Sequence, residues 1–291
     1  MLEERIVACQ QNALVAAPSV MRRLRDRIEG DIEKSEGDVK LTILGSGTLV
    51  PSGSRNSAGY FVELPDARIM MDCGAGTVHA LARYRVPWEQ MTHLFISHFH
   101  VDHAGELASL FLAFRHGMET GRVDPLTIIG PAGLDRVMDG LKMAYGPKTF
   151  DVRFPLHIRN VTPGGVVDLG KDSRLLVAKT RHTAESLAIR IEEGHHAVCY
   201  TGDAAYDDEL AEFFSGADLL VSECSFREPR AGVAHMSVSE VARLATRAGV
   251  RKLVVTHCYF EVNESELKQS LEREYSGEVV IGCDGLKIST E

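Results

Sequence analysis

The stretch Thr92–His103, T-H-L-F-I-S-H-F-H-V-D-H, joins an apolar run to a cluster of ligand-type side chains. The run Thr92–Ser97 has the length and composition of a buried strand. Side chains alternate along a strand, so His98 and His100 can share one metal ion. Asp102 and His103, where the turn enters a helix, can serve a second. Imidazole nitrogen and carboxylate oxygen are donors that Zn²⁺ accepts at roughly 2.0–2.2 Å. The chain has 12 histidines, and chance would give this spacing only about once in a thousand such sequences. Other ligand-type residues stand at comparable strand ends. His182 follows R-L-L-V-A-K-T, Asp203 closes H-A-V-C-Y-T-G-D, and His257 closes K-L-V-V-T-H. Taken singly, the histidines could be hydrogen-bonded surface residues and Asp203 a helix cap. Taken together they suffice for two ions. His98, His100 and His182 would hold one, Asp102, His103 and His257 the other, and Asp203 would bridge.

From Val39 onward strand-like runs recur: VKLTILG, GYFVEL, ARIMMD, THLFIS, PLTIIG, RLLVAKT, SLAIRI, HAVCYTGD, DLLVSE, KLVVTH and EVVIG. Helical spacing appears at 76–85, 103–117, 132–144, 237–248 and 263–273. Early strands follow one another through short turns, and later strands alternate with helices. That order predicts an α+β domain over 39–291, two mixed β-sheets packed face to face with helices outside. Residues 1–38 differ. Met21, Leu24, Ile28 and Ile32 recur at helical spacing among arginines, Ser19 is a candidate cap, and Gly37-Asp38 marks a break. This N-terminal helical extension is expected to pack on the domain, with a homodimer contact as the alternative.

Composition narrows the function classes. Of 291 residues, 44% are hydrophobic and 25% charged, the balance of a soluble globular protein. A net charge of -9 disfavours a dedicated nucleic-acid binder. The six cysteines form no C-x-x-C pair, which suggests thiols in a reducing cytoplasm. No apolar run has the length of a membrane span. Glu3, Glu4 and Pro18 do not suit a secretion signal. The expected location is therefore cytoplasmic, with no membrane partner.

The motifs LGSGTLVPSGSRNSAGY, MDCGAGT, SHFHVDHAGE, RHTAESLAIRI, YTGDAAY, SECSF, AHMSVSEVARLA and VVTHCY resemble those of the metallo-β-lactamase superfamily. Within it they are most similar to the RNase Z-like phosphodiesterase branch. The resemblance covers about 39–289. It implies the metallo-β-lactamase fold, an αβ/βα four-layer sandwich, and two metal ions bridged by a water or hydroxide. It also implies that Asp72 supports the metal loops from behind, and that Glu223 and His235 form a dyad assisting the leaving oxygen. Asp102 then belongs to the catalytic centre as well as to the ligand set. Zn²⁺ is the expected ion, although His/Asp sites also take Mn²⁺ or Fe²⁺.

Two departures argue against tRNA processing. The family loop Pro-x-Lys-x-Arg-Asn here reads Pro51-Ser52-Gly53-Ser54-Arg55-Asn56, with Gly53 in place of the lysine; Arg55 remains as a candidate contact for a substrate anion. Between His182 and Asp203 there is room for a strand, a tight turn at Glu193-Gly194 and a second strand, but not for a tRNA-clamping arm. The expected activity is a phosphodiesterase acting on a small-molecule or short nucleotide ester. The alternatives are a hydrolase of another anionic ester, such as an arylsulfate or a lactone, and a non-catalytic metal-binding scaffold.

Overall fold

The computed structural model describes residues 38–118 and 122–290. The helix expected around Met21–Ile32 lies outside the described residues. The first half of the described chain contributes strands β1 (Lys40–Gly45), β2 (Gly59–Glu63), β3 (Arg68–Met71), β4 (His93–Phe95), β5 (Leu126–Pro131) and β6 (Leu156–Val161). The second half contributes β7 (Val166–Gly170), β8 (Ser173–Lys179), β9 (Leu187–Glu193), β10 (His196–Tyr200), β11 (Leu219–Glu223), β12 (Lys252–Thr256) and β13 (Glu278–Ile281). A short last strand, β14 (Lys287–Ser289), returns to pair antiparallel with β1.

These strands form two seven-stranded sheets, in the orders β14-β1-β2-β3-β4-β5-β6 and β13-β12-β11-β10-β9-β8-β7. A shared core lies between them. Leu41, Ile43, Tyr60, Ile69 and Phe95 of the first sheet meet Leu175, Val177, Ile189, Val198, Val221 and Val254 of the second. Helices α1 (Thr77–Arg83), α2 (Val101–Ala104), α3 (Leu107–Gly117) and α4 (Leu134–Tyr145) belong to the first half; α5 (Asp208–Phe213), α6 (Val238–Ala248) and α7 (Glu264–Glu272) belong to the second. Helix α3 buries Leu107, Leu110, Phe111 and Phe114, the i, i+3, i+4, i+7 stripe of a helix lying on a sheet. Helix α6 does the same with Val238, Val241, Ala242 and Ala245. Each set seals the outer face of its own sheet. Two helical layers around two sheets make the four-layer α+β sandwich of the metallo-β-lactamase fold.

Strands covered on both faces read as continuous apolar runs. β1 is buried from Leu41 to Gly45, and β11 throughout. Strands β3 to β6 run parallel, as do β10 to β13. β8 is antiparallel to β9, and β9 to β10, so β8 also points the same way as β10. The C-terminal ends of β3, β4, β8, β10, β11 and β12 therefore emerge at sheet edges, and every candidate metal ligand follows one of them.

Four elements lie beyond the sequence expectation: β6, β7, β14 and α5. The helix expected over 103–117 is divided at Gly105, into α2 and α3. Among the described residues, no helix is long and apolar enough to cross a membrane.

Candidate metal centre

Asp72 anchors the site. It is fully buried, directly after β3, and its backbone is left-handed with φ 58°. Asp tolerates this region better than most residues. Four hydrogen bonds converge on its carboxylate. Oδ1 accepts from Ser97 N at 2.7 Å; Oδ2 accepts from Ser97 Oγ at 2.8 Å, Tyr200 Oη at 2.7 Å and His103 Nδ1 at 2.7 Å. The residue thus joins β3, the end of β4, helix α2 and β10. Gly74 completes the junction. A Cβ there would lie 2.0 Å from the carbonyl oxygen of Asp102, so only glycine lets this loop press against α2.

The seven predicted ligands come together in two groups that share Asp203. Nδ1 of His100 lies 3.0 Å from His98 Nε2 and 3.1 Å from His182 Nε2. Asp203 Oδ2 is 3.8 Å from His98 Nε2 and 3.6 Å from His182 Nε2. On the other side, His257 Nε2 is 3.4 Å from Asp102 Oδ2 and 3.6 Å from Asp203 Oδ1. His103 Nε2 is 3.8 Å from Asp102 Oδ2 and 3.3 Å from Asp203 Oδ1. Asp203 therefore presents one carboxylate oxygen to each group. Ligand atoms of His98, His100, His182 and Asp203 lie within 4.8 Å of one another, and so do those of Asp102, His103 and His257, the compactness a metal site needs.

The donor set fits divalent ions by a second criterion. His103 Nε2 and Asp203 Oδ1 are buried and make no hydrogen bond. Unsatisfied buried polar atoms are costly, and these two face each other where a cation would take both. The opposite ring nitrogens are held, as metal-ligating histidines require. His103 Nδ1 donates to Asp72, and His182 Nδ1 donates to Ala234 O at 2.9 Å. His98 Nδ1 sits 3.0 Å from Ser97 Oγ, and His257 Nδ1 3.3 Å from Ser225 Oγ. His257 itself has φ 56°. For a histidine that is a strained backbone, the kind stored at functional sites.

Electrostatics follow from burial. Desolvation, helped by the charge of His103, holds the His98 pKa far below that of a free imidazole, so His98 is neutral. Burial alone would raise Asp203, but His257 and His103 outweigh it and hold the carboxyl well below its usual range. Burial opposes charge on His103, yet Asp203 and Asp72 together raise it well above the ordinary value. The centre is thus a buried, carboxylate-rich cradle in which Asp203 and Asp72 favour the charged form of His103.

Beside this centre stands a second group. His235 Nδ1 donates to Glu223 Oε1 at 2.9 Å, and Glu223 is 1% exposed. Glu223 is held in place by Ala204 N on Oε1 at 2.7 Å and Ser225 Oγ on Oε2 at 2.5 Å. The His235 ring packs 4.6 Å from that of His182. Burial would lower the His235 pKa, but the bond and charge of Glu223 prevail and raise it above the ordinary value. His235 is not a helix cap. Ser237 and Glu240 close a capping box on α6, with Ser237 N donating to Glu240 Oε2 at 2.8 Å. Nor does Asp203 cap α5, where Asp207 holds the N-cap position.

Arg55, the candidate anion contact, is anchored through one guanidinium nitrogen. Its Nη1 donates to Ser46 Oγ at 2.8 Å and to Gly282 O at 2.6 Å, tying the 46–57 loop to the sheet. Sequence reasoning missed Ser225 and Tyr200. Ser225 was findable as a hydroxyl two residues after Glu223. Tyr200 gave no signal, because a tyrosine ending an apolar strand reads as core.

Comparison with known proteins agrees with this geometry. The model of the β-lactamase superfamily domain matches residues 67–258. The probable metallo-hydrolase YhfI of Bacillus subtilis is 30% identical over 252 residues, spanning 85% of this chain and 98% of that protein. Its crystal structure superimposes with a TM-score of 0.74 at 28% identity, covering 87% of this chain and 99% of that one. Ribonuclease Z of Methanosarcina acetivorans is 27% identical over 272 residues, 75% of this chain and 87% of that protein. Human short-form tRNase Z shares the fold, with a TM-score of 0.72 at 20% identity over 87% of this chain and 99% of that one. The chain belongs to the metallo-β-lactamase superfamily, and its relatives make it a metallo-hydrolase. Within the superfamily it lies close to YhfI and to RNase Z-like proteins.

Proposed function

We propose that the protein is a dinuclear metal-dependent phosphodiesterase acting on a small or single-stranded phosphodiester. The observation that carries this is the Glu223–His235 pair, 2.9 Å apart at the edge of the ligand cluster. When bound, two divalent ions acidify water and offset the charge of a phosphoryl group. A hydrolase of activated esters needs little more. A phosphodiester with an alkoxide leaving group also needs a proton donor. With Nδ1 bonded to Glu223, the proton His235 can give away is the one on Nε2. Glu223 raises the His235 pKa and so favours the protonated ring that such a donor needs.

A large structured RNA suits the site less well. The interval between His182 and Asp203 is filled by the β9–β10 hairpin, which turns at Gly194. The loop with Gly53 offers no lysine to a phosphate. The test is turnover by the metal-loaded protein of nitrophenyl phosphate diesters, alkyl diesters, nitrophenyl sulfate and precursor tRNA. Diesters should turn over and sulfate should not. Faster cleavage of the sulfate ester, or efficient site-specific tRNA cleavage, would overturn the proposal.

A further inference from the structure

A cavity of about 600 Å³ lies beside the metal centre, with Phe99, Gly133, Arg136, Val161, Glu185 and Leu187 in its wall. This is within the roughly 300–1,000 Å³ of small-molecule sites. Two of its wall residues are close neighbours of the proposed ligands in the chain. Phe99 is bonded on either side to His98 and His100, and Glu185 stands three residues after His182.

Gly133, the residue before α4, has φ 101° and no side chain. A Cβ there would come within 3.8 Å of the Phe99 ring edge and 3.1 Å of the Arg136 guanidinium. The two planar groups therefore approach the same bare stretch of backbone. The Arg136 side chain is exposed and makes no hydrogen bond or close ion pair among the described residues; the neighbouring charge it feels is that of Asp135. The other cation in the wall is already engaged. Lys179 Nζ donates to the carbonyls of Thr180 at 2.7 Å, Thr183 at 2.6 Å and Ser186 at 3.3 Å. Glu185 adds a carboxylate that can accept from amino or hydroxyl donors.

We infer that this cavity binds the nucleoside part of the substrate, with the base against Phe99 and Arg136 and polar edges read by Glu185. The inference rests on the phosphodiesterase reading and names the substrate class within it. An aromatic ring and a guanidinium both stack on bases. An acceptor carboxylate suits the hydroxyls and amino groups of a nucleoside and disfavours a second anionic group. An alkyl or simple aryl ester would use only the apolar wall.

The test measures binding, independent of turnover. Adenosine 5′-monophosphate, ribose 5-phosphate and phenyl phosphate are titrated calorimetrically into the metal-loaded protein. All three offer the same phosphate to the centre. The base should tighten binding about 5–100-fold over ribose 5-phosphate, the range of base stacking on protein side chains. Phe99→Ala and Arg136→Ala should each remove most of that increment, while affinity for ribose 5-phosphate stays within about twofold. The exposed position of Arg136 keeps the test valid if Phe99→Ala fails to fold. Equal affinity of the nucleotide and ribose 5-phosphate for the wild type would overturn the inference. So would phenyl phosphate matching the nucleotide, or variants weakening all three ligands alike. Diester turnover with no base increment would sink this inference alone; a base increment without diester turnover would sink the phosphodiesterase reading alone.

Discussion

His235 has one ring nitrogen committed to Glu223 and one left for a substrate, and that asymmetry can be measured. A nitrophenolate departs without a proton, whereas an alkoxide needs one. General acid catalysis contributes about 10²–10⁴-fold. His235→Ala should lose activity in that range on an alkyl diester and much less on a nitrophenyl diester, with metal content unchanged. His235 also lies within ligand reach of Asp203 and His257. Equal losses on both substrates, accompanied by loss of metal, would assign it to the metal instead. Tyr200 offers a second test at this scale. Its hydroxyl donates one of the four bonds on Asp72, and Asp72 in turn orients His103. Tyr200→Phe keeps the packing and deletes that bond. Mutating such outer partners typically costs about 10–100-fold in metal affinity. Competition with a chelator would measure it, and an affinity equal to wild type would show that Asp72 needs no help from β10.

Elements decide how the ligands meet, and here the sequence is partly transparent. The strand ends that carry His98, His182, Asp203 and His257 were legible because each closes an apolar run long enough to be a buried strand. β6 was not, since four of its six residues are exposed and nothing in its pattern separates it from a loop. β14 has three residues, too few for any period to show. α5 has only six residues, and its signal is the Asp207 cap rather than an apolar stripe. The split between α2 and α3 was hidden for a different reason. Gly105 and Glu106 are a weak break on their own, and tertiary contact with the Asp72–Gly74 loop fixes it there. In that loop Cys73 N donates to His103 O at 2.6 Å, and Glu106 N donates to Cys73 O at 2.9 Å. Gly74→Ala therefore tests the junction. The new Cβ would have to push α2 away, and overpacking of this kind costs about 1–3 kcal/mol. Because α2 carries Asp102 and His103, the variant should retain close to one ion per chain, held by the His98, His100 and His182 group. Two tightly held ions and an unchanged melting temperature would show that the loop has room to spare.

Over the whole molecule, the sheet orders were beyond single-sequence reasoning because pairing between strands far apart leaves no local pattern. Their consequence is that titratable groups from distant segments share one buried environment. His93 on β4 illustrates this away from the metal centre. Burial, with help from the charge of Arg159 on β6, lowers its pKa to about 4. The unfolded chain then binds the extra proton as pH drops below about 6.5, while the folded protein resists it. Stability should be full above that value and fall by about 2 kcal/mol between pH 7 and 5. His93→Gln should flatten this part of the profile in urea unfolding, and an unaltered slope would assign it to other groups. The metal centre makes a larger demand. It gathers two buried carboxylates, Asp102 and Asp203, and five histidines from segments between 98 and 257. In the unfolded chain only the 98–103 residues stay close together, so an ion is held far more weakly there. Ions that bind the folded form alone stabilise it by about 4 kcal/mol at a thousandfold excess over Kd. For a domain of this size that corresponds to roughly 8–16 °C in melting temperature. Chelation should lower the melting temperature by an amount in that range, and added Zn²⁺ should restore it. Asp203→Asn keeps the shape of the bridging residue but removes its charge from both groups. It should lose most of the Zn²⁺-dependent shift while melting near the chelated wild type. A variant that still gained the full shift would place the ions somewhere other than the cradle around Asp203.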